Sequence, residues 1–214
     1  MPVSRERFAQ GLTPEQFLQQ IDRNQERFEQ NIGEVQGLIT DQDRAFFAAH
    51  PVSVVAIGEG WCTDVVQFFP AIFELAKQSP NVELGVFLRD QNTDLIDQYL
   101  NQGKYRSIPV FVFYDQDWTE LGHFIERPAA VTQEMAKETL RFAQENAQLE
   151  GINRAYENMP DETRTKVREN NANYRWGNML RWDRIFLDDI KDLIAQGAGQ
   201  PAIAVTAAQA SKHD

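Results

Sequence analysis

The stretch Val52-Ser53-Val54-Val55-Ala56-Ile57-Gly58-Glu59-Gly60-Trp61-Cys62-Thr63-Asp64-Val65 decides the fold. Its first six residues are mostly β-branched and short enough for a buried strand. Gly58 and Gly60 supply a turn, and the following Cys62–Gln78 segment reads as a helix. Val65, Val66, Phe69, Ile72, Phe73 and Leu75 give that helix its apolar surface, and Pro70 is expected to kink it because it lacks an N–H. The cysteine is therefore placed at a strand-to-helix junction, and it is the only one among 214 residues.

Downstream, Val82–Leu88 reads as a strand and Thr93–Leu100 as a short helix. Ile108-Pro109 leads into a strand over Val110–Tyr114. Asp115–Asp117 turns the chain, and Trp118–Leu121 is expected to return it as a hairpin partner, with Gly122 ending or bulging that strand. Thr132–Leu149 is helical. The order of strands and helices favours one mixed sheet covered by helices, an α/β fold.

Outside this core, Thr13-Pro14-Glu15-Gln16 carries a helix-start signature, with a hydroxyl cap, Pro in the first turn and a capping-box Gln. Phe17, Ile21, Phe28 and Ile32 continue at roughly helical spacing, so a single N-terminal helix is expected. A short helix over Asp41–Ala49 turns Phe46 and Phe47 inward. From Asp161 a long helical pattern carries Leu180, Ile185, Phe186, Leu187, Ile190, Leu193 and Ile194, beside Trp176 and Trp182. The expected divisions are residues 1–39 as an N-terminal helical extension, 40–150 as the core, 151–197 as a C-terminal helical extension and 198–214 as a flexible tail.

The bulk numbers narrow the function. A net charge of -11 and a pI of 4.8 argue against nonspecific binding of nucleic acid or anionic membrane, which relies on Lys and Arg. A lone cysteine makes neither an internal disulfide nor a thiolate metal cage. No apolar run approaches the ~20 residues that span a bilayer, and no apolar leader follows Met1. A cytoplasmic location is the default expectation, and there a free thiol stays reduced.

A thiol attacks only as thiolate. Unpaired N–H groups at a helix start can lower its pKa below the usual ~8.5, whereas Asp64 within the same turn opposes ionisation. Trp61 reads either as a flat wall beside the sulfur or as local core. Glu59 and Asp64 flank the cysteine, yet two carboxylates and one thiol without clustered histidines make a poor transition-metal site. Gly58-x-Gly60 lacks the rest of a phosphate-binding motif and reads as a turn. The Asn171, Asn173, Tyr174, Arg175 and Trp176 group is expected to pack within the molecule, with a recognition surface as the alternative.

Trp61-Cys62-Thr63-Asp64-Val65, Ile108-Pro109 and Gly122 together resemble the thioredoxin family in order and approximate spacing, over about residues 40–150. The resemblance implies a three-layer thioredoxin-like α/β/α fold, with Cys62 as the attacking thiol, Trp61 as its aromatic neighbour and Pro109 as a cis-proline facing the sulfur. Gly122 would then sit near the substrate groove, beside Thr63 and Ile108. Two departures matter. Val65 stands where the family has its resolving cysteine, and Ala56 stands where it has a buried acid.

The implied chemistry is that of a monothiol oxidoreductase. Cys62 attacks a disulfide-containing or glutathionylated protein, or a low-molecular-weight partner, and an external thiol such as glutathione resolves the adduct. No resident cofactor or metal is expected. His123, next to Gly122, is a candidate partner base and otherwise a surface histidine. Arg127 is a candidate carboxylate anchor and otherwise a surface ion pair. The alternative is a non-catalytic binding or adaptor domain that uses the Pro109 groove.

Overall fold

A computed structural model describes residues 3–197 and the backbone of 203–205. The elements run α1 (Arg5–Phe8), α2 (Pro14–Gln20), α3 (Gln25–Glu34), α4 (Asp41–Ala49), β1 (Val52–Gly58), α5 (Thr63–Gln78), β2 (Val82–Leu88) and α6 (Thr93–Ile96), then β3 (Val110–Tyr114), β4 (Glu120–Ile125), α7 (Ala129–Glu145), α8 (Asp161–Gly197) and β5 (Ile203–Val205). The sheet order is β2-β1-β3-β4-β5. β1 runs parallel to β2 and antiparallel to β3, and β3 pairs antiparallel with β4. This is the mixed, helix-covered sheet of a thioredoxin-like α/β fold.

β1 reads as a continuous apolar strand because both its faces are covered: Val54, Val55, Ala56 and Ile57 are fully buried. The Phe111 and Phe124 rings pack against Phe69 of α5 and Phe186 of α8. On the opposite face, Tyr114 stacks on Trp118, and its hydroxyl lies 3.1 Å from that of Tyr99.

Pro70 does not end α5, which continues for two further turns to Gln78. A proline at position 70 cannot donate to the Val66 carbonyl four residues earlier. The buried Asn31 side chain of α3 donates to that carbonyl instead, at 2.9 Å. A buried carbonyl is thereby satisfied.

The single N-terminal helix expected from the sequence is two helices. The capping box at Thr13 is present, but Ile21 adopts extended backbone and Asn24 takes a left-handed φ of 61°. The break lets Phe17, Ile21 and Phe28 all reach the core. Ahead of it, Leu12 forms an antiparallel bridge with Val86 of β2, so the N-terminal segment is sewn into the same core.

Other boundaries shift. The expected return strand at Trp118–Leu121 lies at Glu120–Ile125, with Gly122 inside it. Gly122 has φ 151° and faces Phe113, next to the register slip between Phe113 and Tyr114. Trp118 belongs to the turn instead, where its indole donates to the Val3 carbonyl at 2.5 Å. Leu180, read as apolar packing surface, is exposed. Within the segment read as a flexible tail, residues 203–205 run parallel to β4 as a strand. The rest of 198–214 lies outside the described residues. No described helix is long and apolar enough to cross a membrane.

Candidate functional site around Cys62

Cys62 caps the N-terminus of α5 in extended backbone. The turn before it is held from behind: Asn24 donates to the Gly60 carbonyl at 2.7 Å, and a Cβ at Gly60 would meet Ile21 at 2.6 Å. Glycine at position 60 is thus required by close approach. Glu59 accepts from the Asp90 N–H at 2.9 Å, which ties the turn to the end of β2.

The partly buried Cys62 thiol donates to the Ile108 carbonyl at 3.4 Å. The next peptide bond, Ile108–Pro109, is cis. The sulfur and the proline junction, 46 residues apart in sequence, meet at one place. Ile108 and Pro109 are buried. Thr63 is exposed at the start of α5. Trp61 is 41% exposed and carries the Arg89 guanidinium over its ring at 4.7 Å, so it is surface rather than core.

The competition over Cys62 ionisation ends in favour of the thiol. Burial has the largest influence and pushes its pKa up. The Val65 N–H pulls it down, the Asp64 charge pushes it up, and the Asp64 N–H and the Arg175 charge pull it down. The net direction is upward, contrary to the lowering that a helix start alone suggests. Desolvation disfavours the charged form more strongly than two backbone donors favour it.

Asp64 does not point its charge at solvent. Arg127 donates to one carboxylate oxygen at 2.6 Å and Arg175 to the other at 2.7 Å. Arg175 is 5% exposed and also donates to Gln67 Oε1 at 2.6 Å. Arg127, read as a carboxylate anchor, therefore already holds a carboxylate of its own chain. Arg175 was legible as an intramolecular packing residue, but its partner, 111 positions away, left no local signal.

His123 and Gly122 are not brought to the sulfur. Side chains alternate along a strand. Phe124 faces α8, which places His123 on the opposite face of the sheet from α5. There its ring meets Tyr99 edge-on, and Nδ1 lies 3.0 Å from Glu120. The partner-base reading of His123 is corrected by this one-residue parity. β3 and β4 are antiparallel, so the residue beside Pro109 is Glu126, whose N–H donates to the Pro109 carbonyl at 2.7 Å. Gly122 pairs with Phe113, further along the strand. Glu126, not Gly122, is the strand residue that stands beside the proline junction.

The two departures from the dithiol pattern are structural facts as well. Val65 is fully buried in the first turn of α5, and Ala56 is fully buried in β1. Neither carries a group that transfers a proton or attacks a disulfide.

Searching curated protein sequences gives no significant match. Among solved structures, a Pseudomonas aeruginosa protein of unknown function aligns with a TM-score of 0.64 and 19% identity, covering 93% of this chain and 100% of its own. An HIV epitope scaffold aligns with a TM-score of 0.57 and 18% identity, covering 88% of this chain and 94% of its own. At these identities the likeness speaks to the fold. The sequence profile described as thioredoxin matches residues 11–141, beginning inside the segment that reads as an N-terminal extension. With most of its length inside that profile, the chain belongs to the thioredoxin family.

Proposed function

We propose that the chain is a monothiol exchange protein. Cys62 thiolate attacks one sulfur of a disulfide R–S–S–R′. The S–S bond breaks, R′S⁻ leaves and takes up a proton, and Cys62–S–S–R forms. An external thiolate R″S⁻ then attacks the sulfur of R, releasing R–S–S–R″ and restoring Cys62 thiolate. Glutathione is the simplest such thiol, and a glutathionylated or disulfide-containing protein the simplest substrate. A reducing compartment such as the cytoplasm would supply the external thiol.

The observation carrying this reading is the meeting of a partly buried Cys62 Sγ with the Ile108 carbonyl ahead of Pro109. An upward-shifted thiol pKa gives little thiolate at neutral pH, but the thiolate that forms is a strong nucleophile. It is also a poor leaving group, so its release by attack at the substrate-side sulfur is the slower half of the cycle. The exchange should be slow near neutrality and quicken as pH rises.

Incubation with glutathione disulfide, followed by intact-mass measurement, tests it. A reversible single adduct on the wild-type chain is expected, with none on Cys62→Ser. Failure of the wild-type chain to form the adduct at pH 9 would defeat the proposal. The buried Val65 and Ala56 favour a second reading, a binding domain without turnover. That reading expects the same ligands to bind wild-type and Cys62→Ser chains equally.

A further inference from the structure

Two arginines near the cysteine are already engaged, because Arg127 and Arg175 both donate to Asp64. Arg89, directly after β2, is placed differently. Its guanidinium lies 4.7 Å from the centroid of the Trp61 ring, and Trp61 immediately precedes Cys62. Its Nη1 also donates to the Arg106 carbonyl at 3.3 Å. Arg106 stands shortly before Ile108, whose carbonyl accepts from the thiol at 3.4 Å. Arg89 therefore bridges the two segments that meet at the sulfur. The stretch from Arg106 to Ile108 spans at most ~7 Å even when extended, so these contacts keep Nη1 within about 14 Å of Sγ.

The charge on Arg89 is only loosely held. Nε and Nη2 reach a single oxygen, Oδ1 of Asp90, at 2.8 and 2.7 Å, and the Asp90 side chain is 59% exposed. An exposed ion pair of this kind contributes little. One carboxylate oxygen also leaves part of the planar guanidinium fork unfilled. Arg106 differs, because both oxygens of Asp97 take up its fork at 2.6 and 2.8 Å. Stacking on an indole orients a guanidinium without consuming its N–H donors.

We propose that Arg89, seated on Trp61, is the specificity residue of the site and receives a carboxylate carried by the disulfide substrate. Asp90 holds the fork until such a substrate arrives. The distance to Sγ leaves room for about three residues of extended chain between the reacting sulfur and that carboxylate. The substrate class is a peptide disulfide with an acidic side chain or a C-terminus close to its cysteine. Glutathione disulfide is a small member of that class.

This assignment rests on the monothiol reading for its chemistry, but recognition is measured apart from it. Rates of Cys62 adduct formation are compared for glutathione disulfide, which carries carboxylates, and bis(2-hydroxyethyl) disulfide, which carries no charge. Their ratio cancels the ionisation of the thiol. Arg89→Gln should lower the ratio about 3- to 10-fold, and Arg89→Lys, which keeps the charge without the fork, should fall between. Asp90→Asn should raise it. Arg106→Gln removes the same charge from a fork already filled by Asp97 and should leave the ratio within about 2-fold. A ratio unchanged in Arg89→Gln would overturn the proposal, since a merely structural clip slows both disulfides alike. An equal fall in Arg106→Gln would overturn it too, by marking a general loss of positive charge.

If neither disulfide forms an adduct, S-methylglutathione decides, because it keeps the carboxylates but has no exchangeable sulfur. Calorimetric binding to the Cys62→Ser chain should weaken about 3- to 10-fold when Arg89→Gln is added. That result would retain the recognition site and reject only the exchange reaction. No binding, or binding indifferent to Arg89→Gln, would overturn the proposal.

Discussion

Helix α8 carries or meets two buried carboxylates, and they are treated oppositely. Toward its C-terminal end it docks on Asp43, which is 1% exposed and saturated. Arg184 donates to both oxygens at 2.7 and 3.0 Å, Lys191 at 2.7 Å, and the Thr40 hydroxyl at 2.7 Å. Burial works against the Asp43 charge, but Arg184, Lys191 and Thr40 together outweigh it and hold the carboxyl far below its ordinary range. Immediately before Arg184 in the chain, Asp183 is equally buried and has no such partners. One acid is an anion that fastens α8 to α4. The other, buried with no donor to either oxygen among the described residues, is expected to hold its proton. Burial alone does not fix the charge of a carboxylate; the number of donors aimed at it does.

The sharpest way to break this contrast is to delete each acid. Asp43→Ala should destabilise the protein by about 3–5 kcal/mol, because Arg184 and Lys191 lose their buried anion and keep only the half-exposed Asp188. Asp183→Asn at neutral pH should change stability by less than about 1 kcal/mol or raise it, since no ion pair is lost. Urea unfolding curves for the two variants separate these outcomes. Equal losses would mean that Asp183 is also a paired anion.

Asn31→Leu should fall between them, at about 1–3 kcal/mol, because it strips the Val66 carbonyl of its donor. The same unfolding experiment measures it. A loss as large as that of Asp43→Ala would point to packing rather than the hydrogen bond.

The smallest and most diagnostic effects are in pH dependence. Asp43 has a depressed folded pKa, so its contribution is complete above the unfolded pKa near 4 and is lost as pH falls through the folded value. Asp183 has a raised folded pKa. Its contribution is complete below about pH 4 and declines as pH rises, until the folded pKa is passed. Wild-type stability should therefore slope downward on the alkaline side relative to Asp183→Asn, and urea midpoints at a series of pH values would reveal the slope. Parallel curves would remove the claim that Asp183 retains its proton.

Much of the fold was legible because it is written locally. The β-branched run at Val52–Ile57, the capping box at Thr13 and the amphipathic pattern of Thr63–Gln78 each specify an element without outside help. Asp41–Ala49 forms the expected helix to the residue. The division of the N-terminal helix left no such mark, because apolar spacing persists across the break at Ile21–Asn24, where only backbone conformation changes. The cysteine and the Ile108-Pro109 pair were legible as the meeting point. Their electrostatic setting was not, because Asp64 and Arg175 come together through helix packing across 111 residues. Proximity in sequence to Gly122 is a poor guide to where His123 points. The alternation of apolar residues through Leu121, Phe124 and Ile125 does not separate the two faces of a strand buried on both sides.

The bond from Asn24 to the Gly60 carbonyl gives the opening segment of the chain a part in the chemistry far downstream. Residues 40–150 contain the sulfur, its acidic neighbour and the proline junction. The back wall of the loop comes from before them and the buried guanidinium from after. A protein pared to that span would keep its reactive atom and forfeit two of the three segments that tune it.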